Sequence, residues 1–128
     1  MLVNMTGGKK VENIINEIVE PVLLWTNPSP NYAFNPQTIT VETGYSAYLV
    51  EFNEYINPST NAGGATFTCY LPFSTTSVVL CNANGARTIT SAANGSIAFG
   101  AGHTTDRIYS NNNWYGVPYR IWGVKYTL

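Results

Sequence analysis

Charge is the scarcest property of this 128-residue chain. Six basic and seven acidic residues make only 10% of the sequence charged, against roughly 25% in an ordinary soluble domain. The basic residues form no run beyond Lys9–Lys10, which argues against nucleic acid and anionic membranes as partners. No apolar run is long enough for a membrane span, and the first ten residues lack the apolar region of a signal peptide. We therefore expect a protein that is assembled in a cytoplasm without membrane insertion.

Residues that commonly carry out catalysis are also few. The only histidine, His103, precedes Asp106 in the stretch GHTTD, and a loop histidine beside a turn-forming aspartate is the simpler interpretation than a metal or proton-transfer pair. The acids Glu42, Glu51 and Glu54 form no recognisable pair of the kind used in sugar hydrolysis. No glycine-rich loop precedes a helix, so phosphate binding is unsupported. These shortages predict a protein that is not an enzyme and uses no metal or cofactor.

The two cysteines, Cys69 and Cys81, allow at most one intrachain disulfide. A hairpin centred near residue 75 would place them opposite each other, so a cross-strand bridge is one possibility. In a reducing compartment they would instead be free thiols, buried as small hydrophobic side chains. We favour the second interpretation.

Strand-forming residues are abundant, with nine Tyr and five Phe among many Thr, Val and Ile. Alternation of apolar and polar residues predicts strands around 38–42, 48–53 and 65–73, and residues 77–81 are continuously apolar, as in a central strand. Asn84-Gly85 and Asn94-Gly95 are tight-turn signals. Residues 104–109 form a further candidate strand. Eight or nine short strands predict a mainly β fold, an antiparallel β-sandwich or jelly-roll-like domain over residues 22–128.

The last predicted strand, VPYRIWGVKY, is apolar on both of its faces. Val117 and Ile121 fall on one side, and Trp122 and Val124 on the other. A strand with one solvated face would not show this pattern, so both faces need a cover. The cover is either the second sheet together with the N-terminal helix, or a neighbouring subunit.

Residues 1–21 form a separate N-terminal arm in this interpretation. Val11, Ile14, Ile15, Ile18 and Val19 fall on one face of a helix that Pro21 would end. So short a helix needs a surface to pack on, either its own β-domain or a brief bundle with other copies. A strand remains an alternative because the segment is rich in β-branched residues. We expect Ile14 and Ile18, with Trp25 and Trp122, to serve structure or oligomerisation.

The stretch SNNNWYGVP, residues 110–118, is the candidate ligand surface. A sugar ring has an apolar face and a polar rim, so proteins bind it with aromatic rings and planar amides. The candidate ligand-binding residues are Asn112, Asn113, Trp114 and Tyr115, with Tyr109 nearby. The alternative, which we favour for Trp114, is that this ring packs into the rim of the core while the asparagines form turns.

Two segments carry a resemblance to a known family. The first is LWTNPSP, residues 24–30, followed by Phe34 and by QTITV, residues 37–41; the second is VPYRIWGVK, residues 117–125. Together they resemble small β-domains in tail-fibre and minor structural proteins of tailed bacteriophages and prophages. The resemblance covers roughly residues 22–126 and is carried by the two ends of that range.

The resemblance implies a non-enzymatic virion structural protein, either a tail-fibre tip or a head-fibre or capsid decoration protein. It also implies a homotrimer whose residues 1–20 attach to other virion proteins, and it leaves contact with host-surface polysaccharide open. Trp25 and Phe34 are expected to anchor the proline-rich elbow between them. The alternative function is a bacterial carbohydrate-binding lectin or adhesin, against which the absence of a signal peptide counts.

Overall fold

The structure is a computed structural model that describes residues 20–106 and 110–126. Within these ranges the chain forms strands and no helix, which confirms the predicted mainly β class. The arm residues Ile14 and Ile18, and the candidate ligand residue Tyr109, lie outside the described residues. The strands are β1 (Val22–Thr26), β2 (Gln37–Thr40), β3 (Ala47–Asn57), β4 (Ala62–Gly63), β5 (Thr66–Pro72), β6 (Ser77–Leu80), β7 (Gly85–Ala93), β8 (Ser96–Thr104) and β9 (Tyr115–Val124).

The described strands form two antiparallel sheets. Sheet A has the order β1-β9-β3, and both β4 and β5 pair with the far side of β3. Sheet B has the order β2-β8-β7-β6, a Greek-key order because the early strand β2 lies beside the last of three hairpin-connected strands. The first strand of each sheet therefore pairs with a strand from late in the chain, β1 with β9 and β2 with β8.

One apolar core lies between the two sheets, as in a β-sandwich. Alternation along β3 places Tyr48, Val50 and Phe52 fully inside, while Leu49 and Glu51 point to the outer face. Sheet B contributes its own inward side chains, so residues from both sheets form a single cluster. The buried members include Phe34, Leu71, Val79, Ile89, Ile97, Phe99, Val117 and Ile121.

Phe34 joins the elbow after β1 to this core. Its ring meets Trp25 edge-on at 6.1 Å and Phe99 edge-on at 5.3 Å between ring centroids. Edge-to-face contacts of this kind add to the burial of the rings themselves. The rings at the two ends of the elbow thus contact each other, and through Phe34 they reach sheet B.

One strand prediction is wrong, and a second, over residues 104–109, fails at the residues that the structure describes; residues 107–109 lie outside them. The apolar run from Ser77 is an edge strand, since β6 pairs with β7 alone among the described strands, and Leu80 is 73% exposed. A continuous run of apolar residues occurs both in central strands and in edge strands without charges, so the sequence pattern alone does not distinguish the two positions. The strand predicted from Thr104 does not continue through Thr105 and Asp106, because β8 ends at Thr104. The chain turns there, and Thr105 donates hydrogen bonds to the backbone carbonyls of Ala83 and Asn84.

The cysteines are free thiols, as favoured from the sequence. Cys69 lies half-buried on β5 of sheet A, and Cys81 lies buried just after β6 of sheet B. The two segments belong to different sheets. The predicted hairpin, in which the two thiols would lie opposite each other on paired strands, therefore does not form.

Candidate functional site

The candidate ligand loop is held from inside the protein by Arg87 on β7. This side chain is fully buried, and each of its five N–H donors reaches a backbone carbonyl at 2.7–3.1 Å. The accepting carbonyls belong to Phe34, Gly100, Asn113, Tyr115 and Gly116. One side chain therefore fastens the elbow, β8 and the loop before β9 to one another.

Arg87 keeps its charge in this interior. Burial lowers the pKa of its guanidinium to about 10, which still leaves it protonated at neutral pH. The thiol of Cys81 lies nearby, and burial raises the pKa of Cys81 to about 11 although the positive charge of Arg87 works in the opposite direction. A neutral, buried thiol is a poor nucleophile.

Two of the predicted ligand residues bond through their side chains to other parts of the protein, and a third packs its ring against the core. The Asn112 side-chain oxygen accepts a hydrogen bond from the Trp114 backbone N–H at 3.1 Å. The Asn113 side chain accepts from the Gly102 N–H at 3.0 Å and donates to the Asn35 side chain at 3.2 Å. The ring of Trp114 packs against the core. These contacts support the structural interpretation of Asn112, Asn113 and Trp114.

Tyr115 is the predicted ligand residue that lies at a surface suited to a ligand. Its ring lies 4.7 Å from the ring of Tyr55, and both side chains are half-buried. With Asn84, Thr104 and Asp106, among others, it lines a shallow concavity of about 200 Å³. The structure thus brings Tyr115 together with the amide of Asn84 and the carboxylate of Asp106, which are distant from it in the sequence pattern used for the prediction. We name Tyr55, Tyr115, Asn84, Thr104 and Asp106 the loop-end surface.

His103 and Asp106 point to different places. His103 lies on β8 in a concavity that it shares with Val78 and Leu80 on the outer face of sheet B. Asp106 accepts a hydrogen bond from the Thr104 hydroxyl at 3.1 Å and faces the loop-end surface. The prediction of a loop histidine is therefore wrong, because His103 lies on β8, whereas Asp106 lies in the bend that follows this strand.

A second polar cluster lies on the outer face of sheet A. Glu51 on β3 is paired in register with Arg120 on β9, and its carboxylate accepts a hydrogen bond from Arg120 Nη2 at 3.1 Å. Arg120 Nε lies 2.8 Å from the other carboxylate oxygen, which also accepts from Trp122 Nε1 at 2.6 Å. The guanidinium lies over the ring of Tyr119 at 4.5 Å. Glu51 falls within the strand predicted around residues 48–53, but its partner depends on the β3–β9 register, which the sequence does not reveal.

The proline-rich elbow is joined directly to the last strand. The buried side chain of Asn27 donates to the Pro118 carbonyl at 2.8 Å, and its backbone N–H donates to the Tyr119 carbonyl at 2.8 Å. The Asn27 side-chain oxygen in turn accepts from the Ser29 N–H at 2.8 Å, which closes the turn. Ahead of this turn, Trp25 is the register partner of Ile121.

One edge of sheet A and one edge of sheet B lie on the same side of the molecule. β5 ends sheet A and β6 ends sheet B, and together they line a cleft of about 560 Å³. Val78 is 56% exposed there, beside the still more exposed Leu80, and neither strand sequence, TFTCYLP or SVVL, contains a charged residue. Natural edge strands commonly carry charges that prevent pairing with other chains. We name β5 and β6 together the open side.

Comparisons with known proteins identify no relative. No family model, no curated protein and no solved structure matches the chain. The resemblance to phage structural domains therefore stays a prediction. Within residues 20–106 and 110–126, His, Cys, Asp and Glu side chains form no group of three or more that could hold a metal ion. The same ranges contain no helix long and apolar enough to cross a membrane.

Proposed function

We propose that this chain is a non-enzymatic structural protein of a bacteriophage virion, of the tail-fibre-tip or head-fibre decoration type. The observation that supports this proposal is the pairing of the two segments that carry the family resemblance. β1 lies beside β9, and Asn27 of the elbow bonds to Pro118 and Tyr119. A motif that is split between two distant stretches of sequence is therefore one continuous structural unit. Such a unit explains why both halves occur in the same chain.

The virion assignment is tested on particles. Phage particles from the host that carries the gene are purified through a density gradient, and their peptides are identified by mass spectrometry. We expect this chain in the particle band, and gold-labelled antibody against it on the tail or the capsid surface. Its presence only in the soluble fraction, with other structural proteins in the particle band, would contradict the proposal.

The open side is where we place contact between copies in a homotrimer. A closed ring of three needs two different surfaces on each subunit, and the β5 and β6 edges supply two that lie next to each other. Both edges expose backbone donors and acceptors together with apolar side chains and no charge. Burying this side against other copies would satisfy the edges and remove Val78 and Leu80 from water.

The assembly step is tested by light scattering on full-length variants. Val78→Lys with Leu80→Lys places two charges on the β6 edge, and we expect the trimer to become a monomer. Thr38→Lys with Thr40→Lys is the matched control, because these exposed residues lie on β2, the opposite edge of sheet B. We expect that variant to stay trimeric. A monomeric wild type, or a trimer in the β6 variant, would overturn the placement of the interface.

Carbohydrate binding is the second candidate function, and the loop-end surface favours it. The paired rings of Tyr55 and Tyr115 supply an apolar platform, and Asn84 and Asp106 supply planar hydrogen-bonding groups beside Tyr115. A glycan array followed by calorimetric titration tests it. We expect Asp106→Asn and Tyr55→Ala to abolish binding, with Glu51→Gln on the other face as an unaffected control. Equal binding by all of these variants would exclude the loop-end surface.

A further inference from the structure

A row of non-polar side chains crosses the outer face of sheet A from edge to edge. Register pairs Leu23 on β1 with Trp122 on β9, Trp122 with Leu49 on β3, and Leu49 with Tyr70 on β5. Leu23 is 45% exposed and Tyr70 is 51% exposed, while Leu49 and Trp122 are half-buried. We name these four residues the outer row. A continuous apolar row on a sheet face usually marks a surface that another element covers.

The Trp122 indole and the Tyr70 hydroxyl of the outer row each already have a hydrogen-bond partner. The indole N–H of Trp122 donates to Glu51, and Glu51 is also paired with Arg120. The hydroxyl of Tyr126 donates to the hydroxyl of Tyr70 at 2.9 Å. A polar ligand would have to compete with Glu51 for the Trp122 N–H, whereas an apolar element could lie on the rings and on Leu23 without disturbing that bond. The chemistry of the row therefore fits an apolar occupant.

The chain before β1 leads onto this face. Glu20 and Pro21 line a concavity of about 400 Å³ together with Leu49, Trp122 and Thr68, among others. β1 is one edge strand of sheet A, and Thr68 lies on β5 at the opposite edge. For residues 20 and 21 to share a concavity with β5, the backbone must bend over the outer face instead of passing beyond the end of the sheet.

The length and pattern of the preceding segment match the outer row. The ten residues 10–19, as the predicted helix, would be about 15 Å long at 1.5 Å per residue. The row spans three inter-strand spacings, which is about 14 Å at 4.8 Å each. The predicted apolar face of that helix offers Val11, Ile14, Ile15, Ile18 and Val19.

We propose that residues 10–19 of the same chain cover the outer row with this apolar face. A segment joined to the face through Glu20 and Pro21 has a high effective concentration there, which favours it over the same segment of another copy. The opposite side of the segment carries Glu12, Asn13, Asn16 and Glu17. That polar side stays outward, toward solvent. The inference does not depend on the virion assignment.

The test uses the full-length chain and the indole N–H signal of Trp122 in NMR spectra, assigned with Trp122→Phe. Broadening by a soluble nitroxide radical measures how openly that indole faces solvent. Ile14→Asp with Ile18→Asp places two charges on the apolar face of the segment. Asn13→Asp with Asn16→Asp adds the same charge on the opposite side and is the matched control. We expect broadening of the Trp122 signal to rise several-fold in the Ile variant and to match the wild type in the Asn variant.

The remaining indoles report whether the fold is intact. Trp25 and Trp114 pack against the core, so their signals should not change in either variant. Equal broadening of Trp122 in all three proteins would show that the segment does not cover the row and would overturn the proposal. Protection of Trp122 that disappears on dilution, together with a fall in solution mass, would show that the cover comes from another copy, which also overturns it.

Discussion

The two arginines within residues 20–106 and 110–126, Arg87 and Arg120, show how differently one kind of side chain acts in two regions of the molecule. Arg87 is fully buried and bonds to five backbone carbonyls from three parts of the chain. Arg120 is 35% exposed, pairs with Glu51 on the neighbouring strand and lies over Tyr119. The first determines where loops lie, and the second links strands that the backbone ladder has already joined.

The difference in burial determines what each contact contributes. A buried carbonyl that loses its donor has no water to bond with instead. Each such carbonyl lowers the free energy of unfolding by about 1–3 kcal/mol. An ion pair near solvent exchanges its partner for water, and such pairs contribute about 0–1 kcal/mol. The contrast between the two arginines can therefore be measured, and four experiments sharpen or break it.

Removing Arg87 should have the largest effect. Arg87→Met keeps the length of the side chain but leaves five carbonyls without their donor, so we expect the free energy of unfolding to fall by about 4 kcal/mol or more. Urea denaturation measures the change. Arg87→Lys retains the charge but has three donors in place of five. Its free energy of unfolding should lie between those of the wild type and the Met variant. A Met variant as stable as the wild type would contradict the role given to this side chain.

Asn27 should come second, because it is a buried polar contact without a charge. Asn27→Ala leaves the Pro118 carbonyl and the Ser29 N–H without their partner, and we expect a loss of about 2 kcal/mol in urea denaturation. Asn31→Ala, at an exposed position of the same elbow, is the control and should change little. Equal effects of the two substitutions would mean that the elbow is not fixed through Asn27.

The Glu51–Arg120 pair on the outer face of sheet A should contribute less to the free energy of unfolding than Arg87 or Asn27 does. A double-mutant cycle with Glu51→Gln and Arg120→Gln measures its coupling free energy, which we expect to be about 0.5 kcal/mol. Added salt should reduce that value, since the arginine is partly open to solvent. A coupling as large as the loss on replacing Arg87 would remove the distinction between the two regions.

The thiol beside Arg87 provides a pH test of the same interior. Burial raises the pKa of Cys81 from its ordinary value of 9.0 to about 11. The stability that the protonated thiol contributes is therefore complete below pH 9 and is lost as the pH rises through 11. We expect the melting temperature to fall less steeply between these pH values in Cys81→Ala than in the wild type. Parallel pH profiles would show that Cys81 titrates as it does in the unfolded chain.

Local pattern was sufficient where a residue's environment follows from its neighbours in sequence. The alternation along β3 predicted that Tyr48, Val50 and Phe52 face one way, and these side chains are fully buried. The same reasoning failed for residues 77–81, since an apolar run does not reveal whether a second strand will cover its free edge. The position of β6 at an edge follows from the order of the whole sheet.

The candidate site was partly predictable for the same reason. Tyr115 was identified because a polar-aromatic loop is visible in sequence, whereas Asn84 joins it only through folding. Arg87 gave no signal at all, because it occupies one position of a strand and its partners lie up to 53 residues away. A buried arginine whose hydrogen bonds all go to backbone carbonyls has no partner side chain that a sequence pattern could reveal.

The pairing of β1 with β9 also affects when folding can finish. Val22 and its register partner Gly123 are separated by 101 positions, so a ribosome adding about 5–20 residues per second takes about 5–20 s between the two. Throughout that interval β1 lacks β9, its one neighbour among the strands that the structure describes, whereas β6, β7 and β8 can already form their meander. A chain whose synthesis stops early would leave Trp25 and one side of β3 unpaired and open to proteases. Completion of the last strand thus acts as a check on whether the whole domain has been made.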